Sequence, residues 1–162
     1  MSCGASKRVV AKKSKKKSTI SSKQRKPVAK QKTYTIADKI IWSAVSYKGT
    51  PYKYAGINKS GMDCSGLIHT SFKERNIIMP RSSSLLYKEG YKIPLARAER
   101  GDLLFFKTTN KSRGKVNHVA IVTSANNGIV KFIHSTSSKG VIESSMLQDY
   151  WRKSFVEAKK VL

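Results

Sequence analysis

The sequence predicts an α+β domain in which N-terminal helices pack on a small antiparallel β-sheet. Three observations predict it. Helix-period apolar patterns follow residue 34, β-rich runs fill the second half of the chain, and Asn127-Gly128 joins two of those runs as a tight hairpin. Helical segments first and strand segments afterwards segregate into layers instead of alternating as in a parallel α/β sheet. The 162 residues suffice for one domain with a moderate core.

The first helix follows Thr35, which with Asp38 three residues on matches a capping pattern. Ile36, Ile40, Ile41, Ala44 and Val45 form one helical face, and Gly49 and Pro51 end the helix. After the turn Gly56–Gly61, a second helix runs from about Cys64 to Arg75 and buries Leu67, Ile68, Ser71 and Phe72. A short third helix follows Pro80, starts at one of Ser82–Ser84 and stops near Gly90. The period then changes to that of strands. Leu103–Lys107, Val116–Thr123, Ile129–His134, Val141–Ser144 and Phe155–Leu162 read as four or five short strands of a meander, with a helical turn around Met146–Tyr150.

Charge is uneven along the chain. Residues 1–33 hold 12 of the 33 basic residues and none of the 9 acidic ones, and the remainder is still +12. Lys7–Lys32 has too few apolar residues to offset the entropy of ordering, so residues 1–33 are expected to form a disordered basic tail ahead of a folded part, 34–162. No segment reaches the roughly 20 apolar residues that span a bilayer, and no apolar signal-peptide run is present. Two cysteines, Cys3 and Cys64, imply no disulfide framework.

The chemistry centres on Gly61-Met62-Asp63-Cys64-Ser65-Gly66-Leu67-Ile68-His69. Cys64 sits where a polar turn gives way to a helix, and Asp63 is a good helix cap. A thiol there faces unpaired backbone N–H groups and the positive end of the helix dipole, both of which favour thiolate. Ser65 and Gly66 are too small to shield the sulfur. A lone cysteine is more often a small buried hydrophobe, and these flanks are what favour a nucleophile. His118 opens the run Val119–Val122 and suits a general base, although a surface histidine flanking a strand fits its spacing equally. Counting back from Asn127-Gly128 brings His134 near His118 across the strand pair, giving a Cys–His–His set. His69, five residues into the helix, reads as structural. One cysteine and two histidines also make three zinc ligands, but no short-spaced ligand pair exists, so no metal and no cofactor are expected.

At Asp63-Cys64-Ser65-Gly66, His118-Val119-Ala120-Ile121-Val122 and His134-Ser135, the chain resembles the NlpC/p60 family of papain-like cysteine peptidases acting on bacterial cell-wall peptides. Gly49–Gly56, Pro80-Arg81-Ser82-Ser83 and Arg100-Gly101-Asp102-Leu103 fall in the family's order, so the likeness covers about residues 35–162. Within the family it is most similar to Spr-type periplasmic lipoprotein endopeptidases. The resemblance implies a papain-like fold, Cys64 as nucleophile, His118 as general base, His134 as orienting third residue and Tyr52 as oxyanion support. Asp63, Ser65 and Arg81 are the candidate substrate-binding residues. The implied substrate is the stem peptide of peptidoglycan, cut at the D-alanyl–diaminopimelyl cross-link. The alternatives are the D-glutamyl–diaminopimelate bond, or a catalytically silent peptidoglycan-binding module on the same fold. Two departures stand out: Ala120 where glycine is common, and Leu86 where glutamine is frequent, the latter altering one groove wall.

The basic tail lacks the interleaved aromatics of a stacking platform, so it reads as a solvated linker or an anionic-surface attachment, with no specific nucleic acid as partner. Ser2-Cys3-Gly4 resembles the start of a mature bacterial lipoprotein, which would make Cys3 a lipidation site and the tail a tether spanning roughly 30 Å. On that reading the protein lies in the bacterial periplasm or cell envelope, anchored to a membrane.

Overall fold

The computed structural model describes residues 1–5, 33–109 and 115–162. The chain divides into two units, Met1–Lys32 and Thr33–Leu162. Of the first, only Met1–Ala5 are described, all exposed and outside helix or strand, so the expected basic tail lies almost wholly outside the described residues.

The second unit opens with α1 (Ile36–Ser46). Its N-terminus carries a complete capping box: the Thr35 hydroxyl accepts from the Asp38 N–H at 3.1 Å, and the Asp38 carboxylate accepts from the Thr35 N–H at 3.0 Å. Gly49, at φ +86°, turns the chain out of the helix. Ile40, Ile41 and Ala44 are buried as the periodicity predicts, but Ile36 and Val45 at the rim of that face are exposed. The turn after Gly56 is itself a two-rung hairpin, β1 (Ile57–Asn58) and β2 (Gly61–Met62). From it the chain enters α2 (Cys64–Lys73), which buries Leu67, Ile68, Ser71 and Phe72. This helix ends two residues earlier than expected, because the chain reverses through Asn76 at φ +60°. The short α3 (Ser83–Leu86) is capped by the Ser82 hydroxyl.

The sheet has six strands: β3 (Tyr91–Ile93), β4 (Leu103–Phe106), β5 (His118–Asn126), β6 (Ile129–Thr136), β7 (Gly140–Ser145) and β8 (Phe155–Lys160), in the order β3-β8-β4-β5-β6-β7 and antiparallel throughout. Two features depart from the expected meander. β3, too short and exposed to show a pattern, joins the edge, and β8 inserts between it and β4. The helical segment near Met146 falls later, as α4 (Asp149–Ser154).

Both faces of the sheet are covered, which is why Leu103–Phe106 and Val119–Val122 are continuous apolar runs with every side chain buried. Leu103, Phe105, Val119, Ile121 and Ile133 face Ile40, Leu67, Ile68 and Phe72 of the helices. Leu104, Phe106, Ala120, Val122 and Phe132, together with Ala158 of the same sheet, face Trp151. Among the described residues, no helix is long and apolar enough to cross a membrane.

Candidate active site

Asp63 builds the start of α2. Its backbone is extended, and its carboxylate accepts five hydrogen bonds. They come from the N–H of Gly66 at 2.6 Å and of Ala55 at 2.8 Å, from the Ser65 hydroxyl at 3.0 Å, and from Arg81 at 3.0 and 3.3 Å. The three candidate substrate-binding residues are therefore one network, since Arg81 Nη1 also donates to the Ser65 hydroxyl oxygen at 2.8 Å. Burial pushes the Asp63 carboxyl upward, but Arg81, the Gly66 N–H and the Ser65 hydroxyl outweigh it and hold it below the usual carboxylate range. Gly66 is small for a packing reason: a Cβ there would lie 2.1 Å from the Gly56 carbonyl oxygen.

Cys64 follows this cap and is half-buried. Its sulfur is reached by the backbone N–H of Val119, the residue after His118, as well as by those of Ser65 and Cys64 itself. The helix start and the mouth of β5 thus meet at the thiol. Those N–H groups act in the direction that the cap predicts, toward thiolate. Burial exceeds them, and with the nearby Asp63 charge it pushes the thiol up to about 11. Burial also holds His118 down to about 4. In the free protein both shifts favour a neutral thiol beside a neutral imidazole, not the resting ion pair that a capped thiol alone implies.

The histidines sit on the Trp151 side of the sheet. The pairings Ile121–Ile133 and Val122–Phe132 place Ala120 opposite His134, so His118 reaches His134 diagonally along the same face. His118 Nε2 and His134 Nδ1 are 2.9 Å apart. His134 is fully buried, and its Nε2 lies 2.9 Å from Ser144 Oγ, again diagonally, because His134 pairs with Ile142 and Phe132 with Ser144. Burial, reinforced by the neighbouring His118, holds His134 down to about 3. Trp151 stacks on the His118 ring at 5.5 Å and meets His134 edge-on at 4.5 Å. The Nδ1 of His118 has no protein partner among the described residues. Ser144 and Trp151 are the site members that carry no role in the sequence reading.

Tyr52 is pinned by a backbone bridge to Met62, and its ring borders Cys64. Burial, then the proximity of Cys64 and Asp63, raises its phenol above the ordinary value. His69 lies away from this cluster, its Nδ1 2.7 Å from the Met79 carbonyl oxygen. Among the described residues no group of three or more His, Cys, Asp or Glu side chains is assembled to hold a metal ion.

A neutral thiol, an imidazole lining the same cleft and a second histidine fixing that imidazole form a set able to perform acyl transfer. The comparisons agree with that chemistry. The model of the NlpC/P60 family matches residues 49–160. The chain is 37% identical over 117 residues to the probable endopeptidase NlpC of Escherichia coli (strain K12), covering 72% of each chain. It is 33% identical over 128 residues to the murein DD-endopeptidase MepS/murein LD-carboxypeptidase of the same organism, covering 78% of this chain and 64% of that relative. The solved structure of an NlpC/P60 family protein from Bacillus cereus superposes with a TM-score of 0.69 at 29% identity, over 78% of this chain and 40% of that one.

Proposed function

This chain belongs to the NlpC/P60 family of peptidoglycan hydrolases, and we propose that it is the cysteine endopeptidase that cuts the D-alanyl–diaminopimelyl cross-link between stem peptides. Cys64 is the nucleophile, His118 the general base, and His134 the residue that orients it. One observation carries the reading: the line of 2.9 Å contacts from His118 Nε2 through His134 to Ser144 Oγ. A base at Nδ1 of His118 needs its proton on Nε2. That Nε2–H donates to His134 Nδ1, which places the His134 proton on Nε2, where Ser144 Oγ accepts it. Each member fixes the tautomer of the next.

With both partners neutral at rest, the thiol proton moves to Nδ1 of His118 as the sulfur attacks the peptide carbonyl. The Tyr52 hydroxyl and the Cys64 N–H support the oxyanion, each donor being worth about 3 kcal/mol in comparable sites. His118 then protonates the leaving amine. It next takes a proton from the water that hydrolyses the thioester. A neutral His134 orients His118 without the added pull of a carboxylate. The +12 carried by residues 34–162 suits stem peptides, whose carboxylates make them anionic. Asp63, Ser65 and Arg81, which line a second cleft beside Cys64, contact the acyl part of the peptide.

The substrate places the protein in the bacterial envelope. Cys3, exposed, is the residue that would carry a lipid, with the basic tail as tether against an anionic surface. Mass spectrometry of the native protein finding an unmodified Cys3 overturns that part alone.

The deciding experiment is digestion of cross-linked muropeptides followed by mass spectrometry. Monomers released from dimers support the proposed bond, and shortened stems assign the D-glutamyl–diaminopimelate bond instead. Binding without cleavage would make the chain a silent module. Turnover retained by Cys64→Ala would remove the nucleophile assignment.

A further inference from the structure

Two clefts meet at Cys64, and only one of them contains the base. The first, about 450 Å³, is lined by Cys64, His118, Trp151, Gln148 and the Thr136–Lys139 turn. The second, about 410 Å³, is lined by Cys64, Asp63, Ser65, Arg81 and Tyr54. In thiol acyl transfer the imidazole that takes the thiol proton returns it to the departing nitrogen, so that nitrogen leaves on the imidazole's side. The His118 cleft therefore holds the amine half of the scissile bond, and the Asp63 cleft holds the acyl half.

The halves differ in charge. On the acyl side Arg81 is already neutralised by Asp63 at 3.0 Å. The amine side is walled by hydroxyls, and its described lining includes the cation Lys139 and no aspartate or glutamate. The turn that carries Lys139 is built into the fold. Gly140 follows it at φ +64°, and a Cβ there would lie 2.1 Å from the Thr50 carbonyl oxygen. The Val141 N–H donates to that same oxygen at 2.9 Å, and the Gly49 N–H donates to the Val141 carbonyl at 2.9 Å. Within the turn, the Lys139 N–H donates to Thr136 Oγ1 at 3.1 Å. These contacts tie the amine-side wall to the segment that delivers Tyr52.

We propose that Lys139 determines leaving-group specificity by binding the free carboxylate of the residue whose amine departs. This rests on the cell-wall peptidase reading and deepens it. In the D-alanyl–diaminopimelyl cross-link, the departing amine and a free carboxylate share one carbon, so the anion enters the His118 cleft beside the reacting atoms. In the D-glutamyl bond, the carboxylate nearest the scissile carbonyl lies on the acyl side, where Arg81 is occupied.

The test compares disaccharide-peptide dimers whose leaving diaminopimelate is free with dimers in which that carboxylate is amidated. Lys139 is exposed, so its replacement leaves the core intact, and unchanged thermal unfolding verifies that. Screening limits an exposed ion pair, so the expected effect is a rise in KM of about two- to fivefold for Lys139→Ala on the free-carboxylate dimer. The kcat stays constant, and the amidated dimer shows no change. Lys139→Glu should prefer the amidated dimer, and added salt should shrink the wild-type preference. Equal effects of Lys139→Ala on both dimers, or none on either, overturn the proposal. If the wild type cuts only within stems, the bond assignment fails. The proposal then falls with it, because the departing amine in a tetrapeptide stem shares its carbon with no free carboxylate.

Discussion

Replacing Asp63 with asparagine should destabilise the protein by about 2–4 kcal/mol without removing the α2 cap. Asn is as good an N-cap as Asp, so one side-chain oxygen can still accept from the Gly66 N–H, which lies 2.6 Å from the carboxylate. The other oxygen becomes an NH₂ group facing the Ala55 N–H and Arg81 Nη2, 2.8 and 3.3 Å away, and both of those are donors. A buried donor left without an acceptor costs about 1–3 kcal/mol. Removing the charge partner of a fully buried pair costs about 3–5 kcal/mol, but the Arg81 side chain is 32% exposed and solvent recovers part of that. Asp63→Ala also loses the cap and should cost about 1 kcal/mol more. Urea unfolding at pH 7 reads the difference between the wild type and D63N. The pH dependence checks its origin. The folded Asp63 carboxyl is held below its ordinary value, so its contribution is complete above about pH 4 and fades as pH falls through the folded value. Losses from the buried histidines cancel, because both proteins carry them. A difference under about 0.5 kcal/mol at pH 7, or one that stays constant down to pH 2.5, would refute the account.

With the thiol up at about 11 and His118 down at about 4, iodoacetamide alkylation of Cys64 should climb about tenfold per pH unit from 7 to 10. A plateau below pH 8 would show that the ion pair forms despite burial. His134→Ala should lower kcat, with Asn or Gln partly restoring it, and equal rates in His134→Ala and wild type would move the orienting role elsewhere. Ser144→Ala removes the acceptor from His134 and should lower kcat about tenfold, by analogy with outer-shell partners of histidine ligands, while KM stays near the wild-type value. An unchanged kcat would show that the burial of His134 alone fixes its ring. Gly66→Ala should unfold the start of α2, because no rotation moves its Cβ from the Gly56 carbonyl oxygen, and a cooperative transition at the wild-type temperature would contradict that contact.

The parts of this fold legible in the sequence are those governed by neighbours in the chain. Thr35 with Asp38, Asp63 ahead of Cys64, and Asn127-Gly128 each act over three or four residues, and each performs the predicted job. The hairpin also made the His118–His134 contact countable from its turn. Ser144 lies just as close on the other side of His134, but the Thr136–Gly140 connection has no such fixed signature, so the β6–β7 register could not be counted. The insertion of β8 between β3 and β4 was hidden for a related reason: a strand's alternation shows which face is buried and carries no label for its partner.

The thiol separates these two kinds of information within one residue. The cap sequence correctly places backbone N–H groups at the sulfur, and an isolated peptide with that cap would carry a more acidic thiol. Folding brings in β5 as well, and with it the Val119 N–H that adds to the pull toward thiolate and the walls that exclude water. Desolvation sums over all the packed surroundings, whereas the N–H groups act from a few directions, so burial prevails at Cys64 as it does at His118. A site set this way is quiet until a substrate carbonyl gives the displaced proton and the new charge somewhere to go. The burial that opposes the resting thiolate also limits reaction with anything that does not fill both clefts.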